Sequence, residues 1–269
     1  MNIQKLIIPL SNFDRDRSSV LDLGGPRIIS ATEVSIPIQP PLKCKYILEM
    51  NSREGEIPRR TLDRVLTVFK LFKDSLILSK LVFIGTQFDY LPHYTHWTDP
   101  DRGVPLYRLS EDEETKFCKF WNEYIEINPD IFAVFRFHLA DYRAYSPDRF
   151  VDYVESLEYL FVPDSGEGEI AYKFCTRGSL ILGRNKLPDE RRQIFSNLKN
   201  AYSLRSAIVH GRNNVNKLLR GRTWEDNLQP IRCYARDAIK FFFQAGCLDN
   251  ATVRKELMEK LLIFKAKIQ

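Results

Sequence analysis

The chain has 269 residues, 44% of them apolar, 28% charged and 12% aromatic, and a formal net charge of +5. That mixture is too apolar for a disordered protein, and 12 glycines with 14 prolines are too few for a collagen-like or low-complexity one. No apolar run reaches the roughly 18 residues of a membrane span, and the start lacks the basic and apolar segments of a signal peptide, so a cytoplasmic protein without a membrane partner is expected.

The first hundred residues mix short extended runs with breaks. Segments 3–9, 27–38 and 45–50 are rich in Ile and Val and punctuated by Gly24, Gly25, Pro26, Pro37, Pro40 and Pro41, which predicts strands and turns. Residues 61–72 carry Leu62, Val65, Leu66, Phe69 and Phe72 at helical spacing, and 80–88 reads as a further strand. From Ser110 the pattern turns helical. Ser110 and Glu113 form a capping box ahead of Phe117, Phe120, Trp121, Tyr124 and Ile125. Ser146 and Pro147 read as N-cap and first position of a helix whose apolar face is Phe150, Val154, Leu157 and Phe161. Further helices are predicted at 169–182, 188–209, 224–245 and 249–265. The fold class expected is α+β: an N-terminal mixed strand and helix region over 1–105, without a recognisable role, and a mainly helical domain over 106–269.

Three motifs carry little. Gly166-Glu167-Gly168-Glu169-Ile170-Ala171 matches a dinucleotide loop on paper, but two carboxylates would repel a pyrophosphate and a helix precedes it, so an interhelix turn is expected. His93 and His96, near Asp89, Asp99 and Asp101, lie in a loop between Pro92 and Pro100 whose spacing fixes no metal geometry. His138 sits in the apolar run 131–138 and reads as a core histidine. The five cysteines are odd in number and lack a Cys-x-x-Cys pair, which predicts free thiols and no cysteine zinc site. There is no Gly-x-Ser-x-Gly turn and no phosphate loop.

Charge is unevenly placed. Residues 1–145 hold 19 basic against 20 acidic side chains, whereas 146–269 hold 21 against 15. Between Arg191 and Trp224 there are eight basic residues and no acid, among them Arg191, Arg192, Arg212, Lys217, Arg220 and Arg222. Such a stretch is an electrostatic footprint for a polyanion, because cations that meet phosphates release condensed counterions. The plainer reading is a solvated basic face.

Inside this stretch, Arg205, Ser206 and His210 stand near the end of the 188–209 helix. Arg-x4-His spacing alone is weak evidence; its helical setting says more. At about 100° per residue, Arg205 falls in the middle of a stripe of Ile194, Leu198, Ala201, Tyr202, Ile208 and Val209. A guanidinium there must be paired or open into a cleft. Ser206 and His210, four residues apart, project from the stripe's edge, and Gly211 is the expected left-handed terminator. An imidazole can move a proton at a ribose 2′-hydroxyl or a leaving 5′-oxygen, and an arginine can hold the charge of a pentacoordinate phosphate, with no metal or cofactor required. One helix offers only one such histidine, so a twofold homodimer would be needed to supply the second. The competing reading pairs Arg205 with Glu158 or Glu155 and leaves His210 as a mere cap.

The pattern Tyr202-x-Leu204-Arg205-Ser206-x-Ile208-Val209-His210-Gly211 resembles the HEPN superfamily. With Phe150-Val151-Asp152, Leu157-Glu158-Tyr159-Leu160 and Tyr234-Ala235-Arg236-Asp237-Ala238-Ile239, it is similar to the Apea-like HEPN branch from about Ser110 to the C-terminus. The resemblance implies a HEPN-like helical bundle, usually dimeric, often a metal-independent endoribonuclease of bacterial defence or toxin systems. It assigns catalysis to Arg205 and His210 with Ser206 as the polar position, and RNA as partner. It names no antitoxin or regulatory protein. The alternative is a noncatalytic dimerising module that binds nucleotide, nucleic acid or a protein partner.

Overall fold

A computed structural model describes residues 3–33, 44–53, 58–74, 77, 81–84, 87–90, 106–164 and 169–266. The chain is α+β, a small N-terminal sheet followed by a mostly helical region. It divides into two compact units, Met1–Pro129 and Asp130–Gln269. The change of pattern expected at 105/106 therefore falls inside the first unit.

In the first unit β1 (Ile3–Leu10) lies at the heart of an antiparallel sheet. It pairs along its whole length with β5 (Tyr46–Arg53) and, on the other side, with β6 (Leu81–Ile84). Outside β5 come β4 (Arg27–Ser30) and β3 (Leu21–Asp22); outside β6 comes β7 (Gln87–Tyr90). The run 80–88, expected as one strand, holds β6 and the start of β7, which pair antiparallel with Ile84 opposite Gln87. Leu6 to Leu10 are all buried, as a strand covered on both faces requires. Asp22 Oδ1 accepts the Gly24 and Gly25 N–H groups at 2.8 and 3.2 Å and forms the β3–β4 turn, where both glycines have positive φ.

α1 (Pro58–Phe72) buries Leu62, Val65, Leu66 and Phe69, as its spacing predicts. α2 (Glu111–Tyr124) starts at the Ser110–Glu113 capping box and packs on α1, stacking Phe117 against Phe69 at 4.8 Å between ring centres. A short parallel ribbon joins β2 (Phe13–Arg15) to β8 (Tyr107–Leu109). Beside it, Arg15 Nε donates to Glu114 Oε1 at 2.7 Å with both side chains almost completely buried.

The second unit is a helical bundle around α4 (Ser146–Phe161), which packs against α3 (Phe132–Ala140), α5 (Ile170–Leu182), α6 (Pro188–Val209), α8 (Trp224–Gln244) and α9 (Ala251–Ala266). Its expected face of Phe150, Val154, Leu157 and Phe161 is fully buried. The N-cap of α4 is Tyr145, so Ser146 and Pro147 form its first turn rather than capping it. Asn250, one residue past the expected start at 249, caps α9 by accepting the Val253 N–H at 3.1 Å. A five-residue helix, α7 (Val215–Leu219), follows α6 and packs on it. α5 approaches α4 and α6 closely at Gly178, where a Cβ would stand 2.6 Å from Leu198 Cδ1 and 2.8 Å from Phe161 Cε2. No described helix is long and apolar enough to cross a membrane.

Candidate active site: the Arg205 pocket and the end of α6

α6 ends in a Schellman motif. The Arg212 N–H reaches back to the Ala207 carbonyl at 2.8 Å and the Gly211 N–H to Ile208 at 3.1 Å, with Gly211 at φ +61°. His210 is the residue before this reversal. Its N–H donates to the Ser206 carbonyl at 3.1 Å and its ring stands exposed, with no hydrogen bond among the described residues. Ser206 is half-buried.

Arg205 faces the other way, toward α4. Its Nη2 donates to Glu155 Oε1 at 3.3 Å and lies 3.7 Å from Glu158 Oε2. Both acids that the competing reading offered are therefore its partners. The buried face of α6 also differs from the expected stripe. Ile194, Leu198 and Ala201 are buried, but Leu204 and Ala207 continue that face, and Val209 is 50% exposed. From Leu198 onward the buried positions step by three residues, so the face drifts around the axis.

The ion pair is one rung of a ladder. Asp152, Glu155 and Glu158 follow one another at three-residue intervals on α4, which puts them on one side of the helix. Asp152 accepts from Arg136 at 2.5 Å and from Arg143 at 2.7 Å; Arg136 also meets Glu155 at 2.5 Å. Arg136 is not among the site residues expected from the sequence. The signal was present: it is a lone cation inside an apolar helix, the same anomaly that singled out Arg205.

Beside the ladder opens a pocket of about 430 Å³. Arg136, Arg205, Glu155 and Glu158 line it together with Phe132, Tyr159 and Arg254. Arg254 is completely buried on α9, its guanidinium 4.5 Å from the centre of the Tyr159 ring and its Nη1 donating to the Leu248 carbonyl at 2.6 Å. Nothing in its local sequence marked it, because its partners lie on other elements. The Nε atoms of Arg136, Arg205 and Arg254 and the Oε2 atom of Glu158 are buried without a hydrogen-bond partner among the described residues. Burial pushes the Glu158 carboxyl above its ordinary range; Arg205 opposes that shift and Glu155 reinforces it.

His210 does not line this pocket. Five residues after Arg205, it falls about 140° further round the helix. Within one chain the two expected catalytic residues thus stand on different sides of α6.

The basic residues divide into two groups. Arg191 donates to the Gly183 carbonyl at 3.3 Å and Arg192 pairs with Asp189, both at the start of α6. At 1.5 Å per residue, Arg192 lies about 27 Å along the helix from His210, so this pair does not join the expected site. Arg212, Lys217, Arg220 and Arg222 are exposed directly after His210, with Lys217 on α7 and Arg220 and Gly221 turning the chain at φ 54° and 73°. Arg212, Lys217 and Arg220 have no salt bridge among the described residues, and the Asp226 carboxyl is lowered by hydrogen bonds from Thr223 and, to a smaller extent, by Arg222.

His138 is buried edge-on against Tyr142, at 4.7 Å between ring centres. His93, His96 and Gly166-Glu167-Gly168 lie outside the described residues. Among those described, no group of three or more His, Cys, Asp or Glu side chains could hold a metal ion. All five cysteines are thiols outside any disulfide, and burial pushes the Cys175 thiol up to about 11. No protein-family model, curated protein or solved structure matches the chain.

Proposed function

We propose that the chain is a metal-independent endoribonuclease of the HEPN type, acting as a homodimer on single-stranded or looped RNA in a bacterial defence or toxin system. One observation carries the reading: Arg205, steadied by two carboxylates beside an open pocket, comes just before an exposed imidazole that is followed along the chain by the exposed Arg212, Lys217, Arg220 and Arg222. A twofold pairing of two such helix ends would bring two imidazoles to one phosphate. One would take the 2′-hydroxyl proton as the 2′-oxygen attacks phosphorus. The other would protonate the departing 5′-oxygen, leaving a 2′,3′-cyclic phosphate and a 5′-hydroxyl. Arg205 would carry the negative charge that gathers on the phosphate in between, and Glu155 and Glu158 would orient it.

The purified protein should nick unstructured RNA in EDTA and leave cyclic phosphate ends. His210→Ala and Arg205→Ala should each slow cleavage by at least about a hundredfold while circular dichroism stays native. Cleavage that survives both substitutions overturns the assignment.

A second reading, a noncatalytic module, draws on the same ion pairs and on Arg191 and Arg192 sitting at the far end of α6. It requires no RNA cleavage under any condition and a binding activity that His210→Ala leaves intact.

A further inference from the structure

The Arg205 pocket has features that phosphate binding does not use. A scissile phosphate needs cations, whereas this cavity also presents two carboxylates and two aromatic rings. Phe132 and Tyr159 lie 5.5 Å apart between ring centres, each with a guanidinium over a face: Arg136 at 5.3 Å and Arg254 at 4.5 Å. Phe132 is 42% exposed at the pocket. An exposed phenylalanine beside a cavity of about 430 Å³, within the usual 300–1,000 Å³ of small-molecule sites, is a stacking surface for a flat ring.

We propose that this pocket seats one unpaired guanine of the RNA strand next to the phosphate held by Arg205, with Glu158 accepting the base's N1–H and N2–H groups. The proposal rests on the ribonuclease reading above and gives it a substrate preference. The Oε2 atoms of both pocket acids are buried without a hydrogen bond among the described residues, but Glu155 meets Arg136 at 2.5 Å and Arg205 at 3.3 Å, whereas Glu158 has only Arg205 Nη2 at 3.7 Å, beyond hydrogen-bond reach. Glu158 is therefore the acceptor in search of a donor. Guanine alone among the four bases offers two adjacent donors on its pairing edge, matching the two oxygens of one carboxylate. Uracil sets one donor between two carbonyls, which a carboxylate repels. Adenine and cytosine set one amine beside a bare ring nitrogen. The purine's O6 and N7 would meet the guanidiniums that share the pocket, the pairing by which arginine ordinarily reads guanine. Stacking on an exposed aromatic side chain is how proteins hold splayed bases of single-stranded RNA.

The test uses free mononucleotides, so that binding is read apart from cleavage. Calorimetric titration of the wild-type protein should give guanosine 5′-monophosphate about tenfold tighter binding than adenosine 5′-monophosphate, the discrimination of one bidentate contact. Inosine 5′-monophosphate, which keeps N1–H and lacks the 2-amino group, should fall between them. Glu158→Gln should erase the preference without abolishing binding. Phe132→Ala, a surface substitution that leaves the core intact, should weaken all three nucleotides alike. In cleavage, an oligonucleotide with a single guanine should be cut beside it by the wild type. Equal affinity for the three nucleotides, or none, together with cutting that ignores guanine, overturns the pocket assignment and leaves the ribonuclease reading standing. Guanine-selective binding with no RNA cleaved supports the pocket and overturns the ribonuclease reading.

Discussion

Glu158 and Asp164 flank the end of α4 and titrate in opposite directions. Glu158 is raised by burial, with Arg205 and Glu155 pulling against each other beside it and Arg136 and Arg254 lining the same pocket. Asp164 is held far below the usual carboxylate range by Arg177, whose Nη1 and Nη2 donate to its two oxygens at 2.5 and 3.1 Å. A raised carboxyl favours the folded state only below its unfolded value, near 4.3 for a glutamate, and that support is lost as pH rises through the folded value. A depressed carboxyl does the reverse, and its support is present at neutral pH and disappears in acid. Glu158→Gln should therefore gain stability relative to wild type as pH climbs from about 4 to about 7. Asp164→Asn should be destabilised by about 2 kcal/mol at neutral pH, with the gap narrowing as pH falls below about 4. Urea denaturation of the three proteins at stepped pH reads both slopes; parallel profiles would contradict the pairing.

Helix boundaries were the part of this molecule most readable in advance, and α6 shows why. Pro188 at the first position, Gly211 at the left-handed exit and no breaker between them give both ends locally, and the helix runs Pro188–Val209 as expected. The ribbon of β2 and β8 was not readable. Each strand has only three residues, too few for a period, and the partner lies far along the chain. Arg205 could be marked as a cation out of place, and Glu155 and Glu158 named as its partners. Arg254 and Phe132 could not be placed with them, since only the packing of α3 and α9 around α4 assembles the pocket. That packing depends on tight spacing elsewhere in the bundle. Gly178 lets α5 come so near to α4 and α6 that even a methyl group collides with Leu198 and Phe161. Gly178→Ala should lose about 1–3 kcal/mol from overpacking, visible as a lowered Tm. An unchanged Tm would mean that the two neighbouring side chains yield freely.

Over the whole molecule the net charge of +5 is concentrated in the later half, where four exposed cations follow His210. RNA affinity should fall steeply with salt, because each phosphate contact on a single strand contributes about −0.7 to the log–log slope. Replacing Arg212, Lys217, Arg220 and Arg222 by alanine should flatten that slope by up to about 3, whereas replacing Arg191 and Arg192 should change it little. Filter binding across a salt series measures both; equal flattening by the two sets would place the strand along the full length of α6.

The buried bridge from Arg15 to Glu114 has a temporal side. The two residues are 99 positions apart. At about 5–20 residues per second, the acid leaves the ribosome roughly 5–20 s after the arginine. Through that interval the nascent β2 segment carries an uncompensated cation that belongs in the interior, and the first unit cannot close. The late arrival of β8 and α2 is what completes it, so a chain stalled before Tyr107 should remain a client of chaperones.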